Sequence, residues 1–264
     1  MFDVLFLRGI VAVFLISIVS ATVGSFSVFR STTFLVSGIA HGALAGASLG
    51  IFLSLSLFPA DPMLVALAFS LFFAVAIGYA VRKNENVDVS TGVMFAFSMS
   101  LAVLFLAMLR EYATVAWGLL IGDILLLSES DVQILLASVA TIVLIFILFY
   151  RKMLFSIFDP ESAEAMGLHV FRYNTLLFVL IAIGVVSLLK CVGAILVYAL
   201  LIVPAAASRR MLRSVEGTIL GAFIIALASG LGGLFLSTII GFAPSAIAGL
   251  IASGIYAIAI FVRA

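Results

Sequence analysis

One histidine in this sequence has metal-binding chemistry but lies inside a long apolar stretch. His41 follows Ser37 by four residues, and the same stretch carries a glycine at every fourth position from Gly38 to Gly50. A neutral imidazole can coordinate Zn, Mn or Fe. A buried histidine can equally be a packed core residue, and glycines at this spacing favour close helix packing or a smooth face beside a pathway. The residues leave these alternatives open.

A carboxylate raises a similar question. Asp123 lies in the short apolar segment 112–127, within the run Gly122-Asp123-Ile124-Leu125. It can cap the end of a broken helix or line a path for cations. The residues alone favour neither interpretation.

Composition excludes most other chemistry. Hydrophobic residues make up 66% of the 264 residues and charged residues 9%, against roughly 25% charged residues in soluble domains. Lipid must therefore be the main solvent. A net charge of +1 argues against nucleic-acid binding, and the single cysteine, Cys191, excludes a disulfide framework. The chain lacks a GxxxxGK[ST] phosphate-binding motif, so any ATP must be bound by another chain.

The long apolar stretches predict a single all-α transmembrane domain over residues 1–264. Helices are favoured over a barrel because hydrophobicity is continuous and does not alternate. About 20 apolar residues span a bilayer. We predict spans near 4–24, 34–57, 62–81, 89–109, 132–150, 174–189, 191–207, 215–235 and 239–262. If Lys190 lies inside one bent helix instead of dividing two short ones, the count is eight and not nine.

Lysine and arginine positions predict the orientation. Four basic clusters share one side only if 112–127 does not cross: Arg82 and Lys83; Arg151, Lys152 and Arg172; Arg209, Arg210 and Arg213; and Arg263. We therefore predict a re-entrant half-helix at 112–127 with Trp117 near one end. The N-terminus then lies outside and the C-terminus inside. Asp3 and Arg8 favour a retained first span over a cleaved signal peptide.

The polar loop at about 155–172 has strong helix signals. Asp159 suits the N-cap, Pro160 the first position and Glu161 the first turn, while Gly167 suits the stop. A short amphipathic helix on the cytoplasmic face is predicted. It is either a solvated connector or a docking element for a cytoplasmic partner.

Several motifs, in order along most of the chain, resemble a known family. They are AHGALAG at 40–46, GDIL at 122–125, AEAMG at 163–167, VGAILV at 192–197 and ALLIVPAAASRR at 199–210. The sequence resembles the permease (membrane) subunits of the ABC-3 family of ATP-binding-cassette importers, which take up zinc, manganese and iron. The resemblance implies a fold similar to that of the cobalamin and siderophore permeases, with eight or nine spans and a half-helix.

The resemblance also implies partners and sites. Residues 163–167 look like the segment that docks the ATPase, so Asp159, Glu161, Ala163 and Gly167 are candidate coupling residues. His41, Ser37 and Asp123 are candidate transient ligands for a transported divalent metal, although many family members have an aspartate where this chain has Ser37.

A non-enzymatic permease of a prokaryotic inner membrane follows from this resemblance. It works as a likely-symmetric homodimer with cassette ATPase subunits, which use ATP, and an extracytoplasmic binding protein, and it holds no stable cofactor. Alternatives are a secondary transporter or channel, a membrane scaffold, and an ABC permease for a chelated metal.

Overall fold

A computed structural model describes residues 2–56, 59–83, 85–108 and 118–262 of the chain. In that part, 8 helices are long and apolar enough to cross a membrane. These spans are Val4–Phe29, Thr33–Ser56, Pro62–Arg82, Val87–Met108, Glu129–Phe158, Val170–Val192, Val215–Ile240 and Pro244–Phe261. The predicted class, an all-α polytopic membrane protein, is confirmed.

In chain order the helices are α1 (Phe2–Val19), α2 (Ser25–Phe29), α3 (Thr33–Ser56), α4 (Pro62–Arg82), α5 (Val87–Met108), α6 (Glu129–Phe158), α7 (Pro160–Ala165), α8 (Val170–Val192), α9 (Val197–Leu201), α10 (Val203–Met211), α11 (Val215–Ile240) and α12 (Pro244–Val262). A π-helical turn, Ser20–Gly24, joins α1 to α2 within the first span.

The π-helical turn packs against the break between α9 and α10. The Ser20 hydroxyl donates to the Leu201 carbonyl oxygen at 3.0 Å, and both residues are fully buried. Gly24 lies directly against the same carbonyl. Turns of this kind widen a helix locally and recur at functional sites.

The glycine ladder of α3 serves close packing. A Cβ on Gly46 would lie 2.9 Å from Cα of Ala66, and one on Gly50 would lie 2.6 Å from Cα of Pro62, so the backbones of α3 and α4 approach closely. Gly38 faces α5, where a Cβ would lie 2.6 Å from the side-chain methyl of Thr91. The ladder therefore faces neighbouring helices of the same chain.

Contacts between helix ends define two opposite ends of the bundle. At one end, which we call the basic end, the Arg209 guanidinium lies 5.6 Å from the Phe29 ring centre, and Phe29 contacts Phe158. Past the loop after Phe158, Arg82 lies 5.1 Å from the Phe171 ring centre. Three of the four predicted basic clusters therefore gather near this end, and Arg263 lies outside the described residues.

The opposite end carries the ion pairs that link α1, α6 and α8, and we call it the acidic end. Arg8 lies 3.5 Å from Glu129, and the Lys190 ammonium lies 2.9 Å from Asp131. Both acids belong to the first turn of α6, where they also complement the helix dipole.

Of the two alternatives that the sequence left open at Lys190, the structure shows the one in which Lys190 lies inside a helix, and the described residues contain eight long spans. α8 runs without interruption over Val170–Val192, which joins predicted span 174–189 to the start of the next. Lys190 does not mark a boundary because its ammonium reaches Asp131. The predicted continuous span 191–207 is instead a turn at Gly193 followed by the 5-residue α9 and the 9-residue α10. This broken crossing still runs from the acidic end to the basic end.

The segment 112–127 is only partly described, because residues 112–117, including Trp117, lie outside the described residues. Residues 118–121 are helical, Gly122 has a φ of +62°, and a single 3₁₀ turn follows at Ile124–Leu126. The described part is therefore a short helix end and a turn.

Candidate functional site

The imidazole of His41 is oriented by its own helix. Nδ1 lies 2.8 Å from the carbonyl oxygen of Ser37, one turn earlier on α3. A carbonyl oxygen can only accept, so Nδ1 donates, and a neutral ring keeps the lone pair on Nε2. Phe95 of α5 holds the ring from the side, with 4.5 Å between ring centres. Histidines that bind a metal through one ring nitrogen typically donate a hydrogen bond from the other, as Nδ1 does here.

His41 and Ser37 share a half-exposed stripe of α3. With Phe34 they follow helical spacing, and all three keep solvent-accessible surface while Gly38 and Gly42 beside them are buried. The structure thus brings together two of the three predicted pathway residues, on a surface that stays half-exposed among the described residues.

Asp123 lies elsewhere and has a structural contact. Its Oδ1 accepts from the Leu125 backbone N–H at 2.9 Å, which caps the 3₁₀ turn. It lines a recess at the acidic end together with Asp131 and Lys190. Of the two interpretations that the sequence left open, the helix cap is the one with an observed hydrogen bond.

No single-chain metal cage is formed by the described residues. They contain no group of three or more His, Cys, Asp or Glu side chains placed to hold one ion. His41 therefore offers one nitrogen, and any ion held there needs further ligands from water or from another chain. Such incomplete coordination suits a transient site.

A backbone crossing that sequence reasoning missed joins the short helix end at 118–121 to the broken crossing. Gly122 and Gly193 have φ of +62° and +80°. Their main chains lie so close together that a Cβ on either glycine would overlap backbone atoms of the other segment. Ala194 N–H donates to Leu119 O at 3.0 Å, and Ile195 N–H donates to Leu120 O at 3.3 Å. Two glycine-containing motifs of the sequence therefore meet as one structural unit.

The predicted coupling helix is present as α7, with both predicted ends. Asp159 Oδ1 accepts from the Ser162 N–H at 3.1 Å, and Pro160 occupies the first helical position. At the other end Gly167 has a φ of +83°, and its N–H donates to Glu164 O at 2.9 Å. Leu168 N–H donates to Ala163 O at 2.9 Å, which completes a Schellman motif.

The short helix α7 has one anchored side and one free side. Ala163 is fully buried, whereas Met166 is 76% exposed and Glu161 and Glu164 are exposed. The hydrogen bonds from Ser162 lower the pKa of the Asp159 carboxyl below its ordinary value. The free side therefore presents an apolar tip and several negative charges.

The bundle, the broken crossing and the projecting short helix together define a polytopic transport permease. A family model described as "ABC 3 transport family" matches residues 2–263. The chain belongs to the ABC 3 transport family.

Two curated relatives are informative. The chain is 30% identical over 256 residues to the manganese transport system membrane protein MntC of Halalkalibacterium halodurans, covering 96% of this chain and 86% of that protein. It is 30% identical over 241 residues to the high-affinity zinc uptake system membrane protein ZnuB of Haemophilus influenzae, covering 90% and 89%. Among solved structures, PsaBC from Streptococcus pneumoniae in complex with Fab superposes with a TM-score of 0.84 at 26% identity, covering 97% of this chain and 91% of that one.

Proposed function

We propose that this permease moves a divalent transition-metal ion through a pore formed by two copies of the chain. The observation that carries the proposal is the oriented His41 imidazole on the half-exposed stripe of α3. Two copies that face each other across these stripes supply two Nε2 atoms to one passing ion. The names of the manganese and zinc relatives support this class of cargo.

The donor set favours one part of that class. Imidazole suits Zn and Fe, whereas Mn prefers carboxylate and water oxygen. Ser37 stands one turn from His41 and supplies a hydroxyl at the position where a carboxylate would favour Mn. We therefore place Zn²⁺ and Fe²⁺ ahead of Mn²⁺ as cargo. Asp123 acts in this proposal as the cap of the 3₁₀ turn at Ile124–Leu126.

Transport depends on partners in this proposal. A pair of cassette ATPases binds ATP and docks on the free side of α7, and an extracytoplasmic binding protein delivers the ion. The chain itself catalyses no reaction. The basic end faces the cytoplasm, since positively charged residues favour that side. This places the N-terminus outside and the C-terminus inside.

The cargo is tested by uptake into proteoliposomes that contain permease, ATPase and binding protein. His41→Gln keeps hydrogen-bonding capacity but gives up a good metal ligand, so it should express normally and slow Zn²⁺ uptake at least tenfold. Ser37→Asp should improve Mn²⁺ in competition with Zn²⁺. Uptake of chelated metal only, or uptake without ATP, would contradict the proposal.

A matched variant separates ligation from packing at His41. Phe95→Leu removes the ring that contacts the imidazole and leaves the nitrogen donors in place. We expect Phe95→Leu to affect metal competition little. If both variants lose stability to the same extent and transport normally per folded molecule, His41 is a packing residue.

Coupling is tested with two glycines of equal backbone strain. Gly167 and Gly241 have φ of +83° and +78°, and a Cβ on either meets nothing within 4 Å. Gly167→Val should uncouple ATP hydrolysis from uptake because it disturbs the end of α7. Gly241→Val carries the same strain at the acidic end and should leave coupling intact. Equal uncoupling by both would remove α7 from the mechanism.

The orientation is tested by labelling single introduced cysteines. Cys191 is buried, so the unmodified chain gives a low background. Glu129→Cys should react with an impermeant maleimide added outside intact cells, and Glu164→Cys should react only after lysis. The reverse pattern would invert the proposed topology.

A further inference from the structure

Three arginines surround a recess at the basic end that the transport proposal does not use. Arg209 and Arg210 end α10, Arg213 follows in the loop to α11, and Tyr256 of α12 closes the opposite side. Val28 and Ala206 form the apolar floor. All three arginines are exposed in this chain.

Arg209 and Arg213 have no carboxylate partner among the described residues. Arg209 donates from NH1 to the backbone carbonyl of Arg213 at 3.3 Å and lies over the Phe29 ring. Neither Arg209 nor Arg213 forms an ion pair within the described ranges. Glu216, the acid nearest in sequence, lines a different groove with Ile18 and Phe223. The recess therefore has a net positive charge that an external anion can neutralise.

The depth of the recess identifies the kind of anion. α12 continues from Tyr256 to Val262, which adds about 9 Å of helix beyond the tyrosine at 1.5 Å per residue. The recess therefore lies closer to the membrane centre than the end of α12. This depth is that of the membrane–water interface, where tyrosines are enriched. Its floor comes from membrane-crossing segments. Phospholipid phosphates occupy this depth, and basic recesses between transmembrane helices bind anionic head groups.

We propose that Arg209, Arg210, Arg213 and Tyr256 bind the phosphate of an anionic phospholipid. The guanidinium forks donate to the phosphate oxygens, the tyrosine hydroxyl adds a further donor, and the acyl chains lie along the apolar floor. The bound lipid then bridges α10 and α12 beside the broken crossing. This site is independent of the metal cargo.

The test uses the purified full-length chain in detergent, titrated with short-chain phosphatidylglycerol or phosphatidylcholine. Apparent affinity is obtained from the shift in thermal unfolding. Phosphatidylglycerol should bind the unmodified chain more tightly than phosphatidylcholine. Arg209→Gln and Arg213→Gln should each weaken the affinity for phosphatidylglycerol about fivefold. This fold-change corresponds to the contribution of about 1 kcal/mol from each basic residue near the membrane surface.

Arg82→Gln is the matched control, because Arg82 also lies over a phenylalanine ring at the basic end but does not line the recess. It should keep the unmodified affinity. Equal affinity for both lipids, or an equal loss in Arg82→Gln, would overturn the proposal. Protection by inorganic phosphate alone would assign the recess to a soluble anion and overturn the lipid assignment. If Arg209→Gln does not fold, the affinity of Arg213→Gln for phosphatidylglycerol tests the proposal, because Arg213 lies on the exposed loop.

Discussion

Replacing Gly193 with alanine tests whether the backbone crossing holds the two broken segments together. Gly193 has φ +80° and ψ 155°, a region that is essentially restricted to glycine and costs about 1–3 kcal/mol for other residues. The added Cβ would overlap main-chain atoms of Leu120 and Ile121, which cannot move aside as a side chain can.

Separating the two backbone segments adds a second cost in free energy. The hydrogen bonds from Ala194 and Ile195 to the 119–120 backbone would be lost, each contributing about 0.5–1.5 kcal/mol. Gly193→Ala should therefore destabilise the chain by about 2–6 kcal/mol in total. Gly241→Ala is the control, since its φ is +78° but a Cβ there meets nothing within 4 Å. It should lose only about 1–2 kcal/mol.

Both variants can be compared by reversible SDS-induced unfolding in mixed micelles, read as the difference in free energy of unfolding. Uptake by the folded fraction in proteoliposomes should also fall in Gly193→Ala. If the two glycine variants lose the same stability, the crossing contributes nothing beyond the left-handed conformation, and the reasoning fails.

Three further changes have definite expected results. Ser20→Ala removes the buried hydrogen bond to Leu201 O and should cost about 1–3 kcal/mol in the same unfolding assay. Gly92→Ala adds a methyl group to an open helix surface, where a Cβ meets nothing within 4 Å, and should stabilise by about 0.5–1 kcal/mol. Hydrogen bonds with Ser162 lower the pKa of the Asp159 carboxyl, so its cap is intact at neutral pH and is lost as the pH falls through that pKa. Protection of the amides of residues 160–168 against hydrogen exchange, corrected for the intrinsic rate at each pH, should fall there, and Asp159→Asn should not show this dependence.

The long spans and the ends of α7 could be predicted because local signals determine them. Continuous apolar runs define the spans, and Asp159, Pro160 and Gly167 occupy the cap positions that their chemistry favours. No distant contact is needed for either feature. The same local reasoning could not decide whether Lys190 divides two spans or lies inside one helix. Its partner, Asp131, is 59 residues earlier and invisible to a local pattern.

The site could be predicted only in part for the same reason. The spacing of Ser37 and His41 on one helix places them together, and the structure agrees. Asp123 could not be separated from them by sequence, since its position depends on how the half-helix meets α8. Likewise, the residues around Gly122 and Gly193 contain no local pattern that predicts a contact between the two glycines.

The joint between α6 and α7 has a mechanical consequence. Asp159 is at once the residue that ends α6 and the cap that begins α7, so no spare residue separates the two helices. The buried Ala163 fixes the short helix against the bundle. α6 has 30 residues, a length of about 45 Å. A displacement of α7 would therefore be transmitted along one continuous helix to its first turn, where Glu129 and Asp131 form their ion pairs at the acidic end of the bundle.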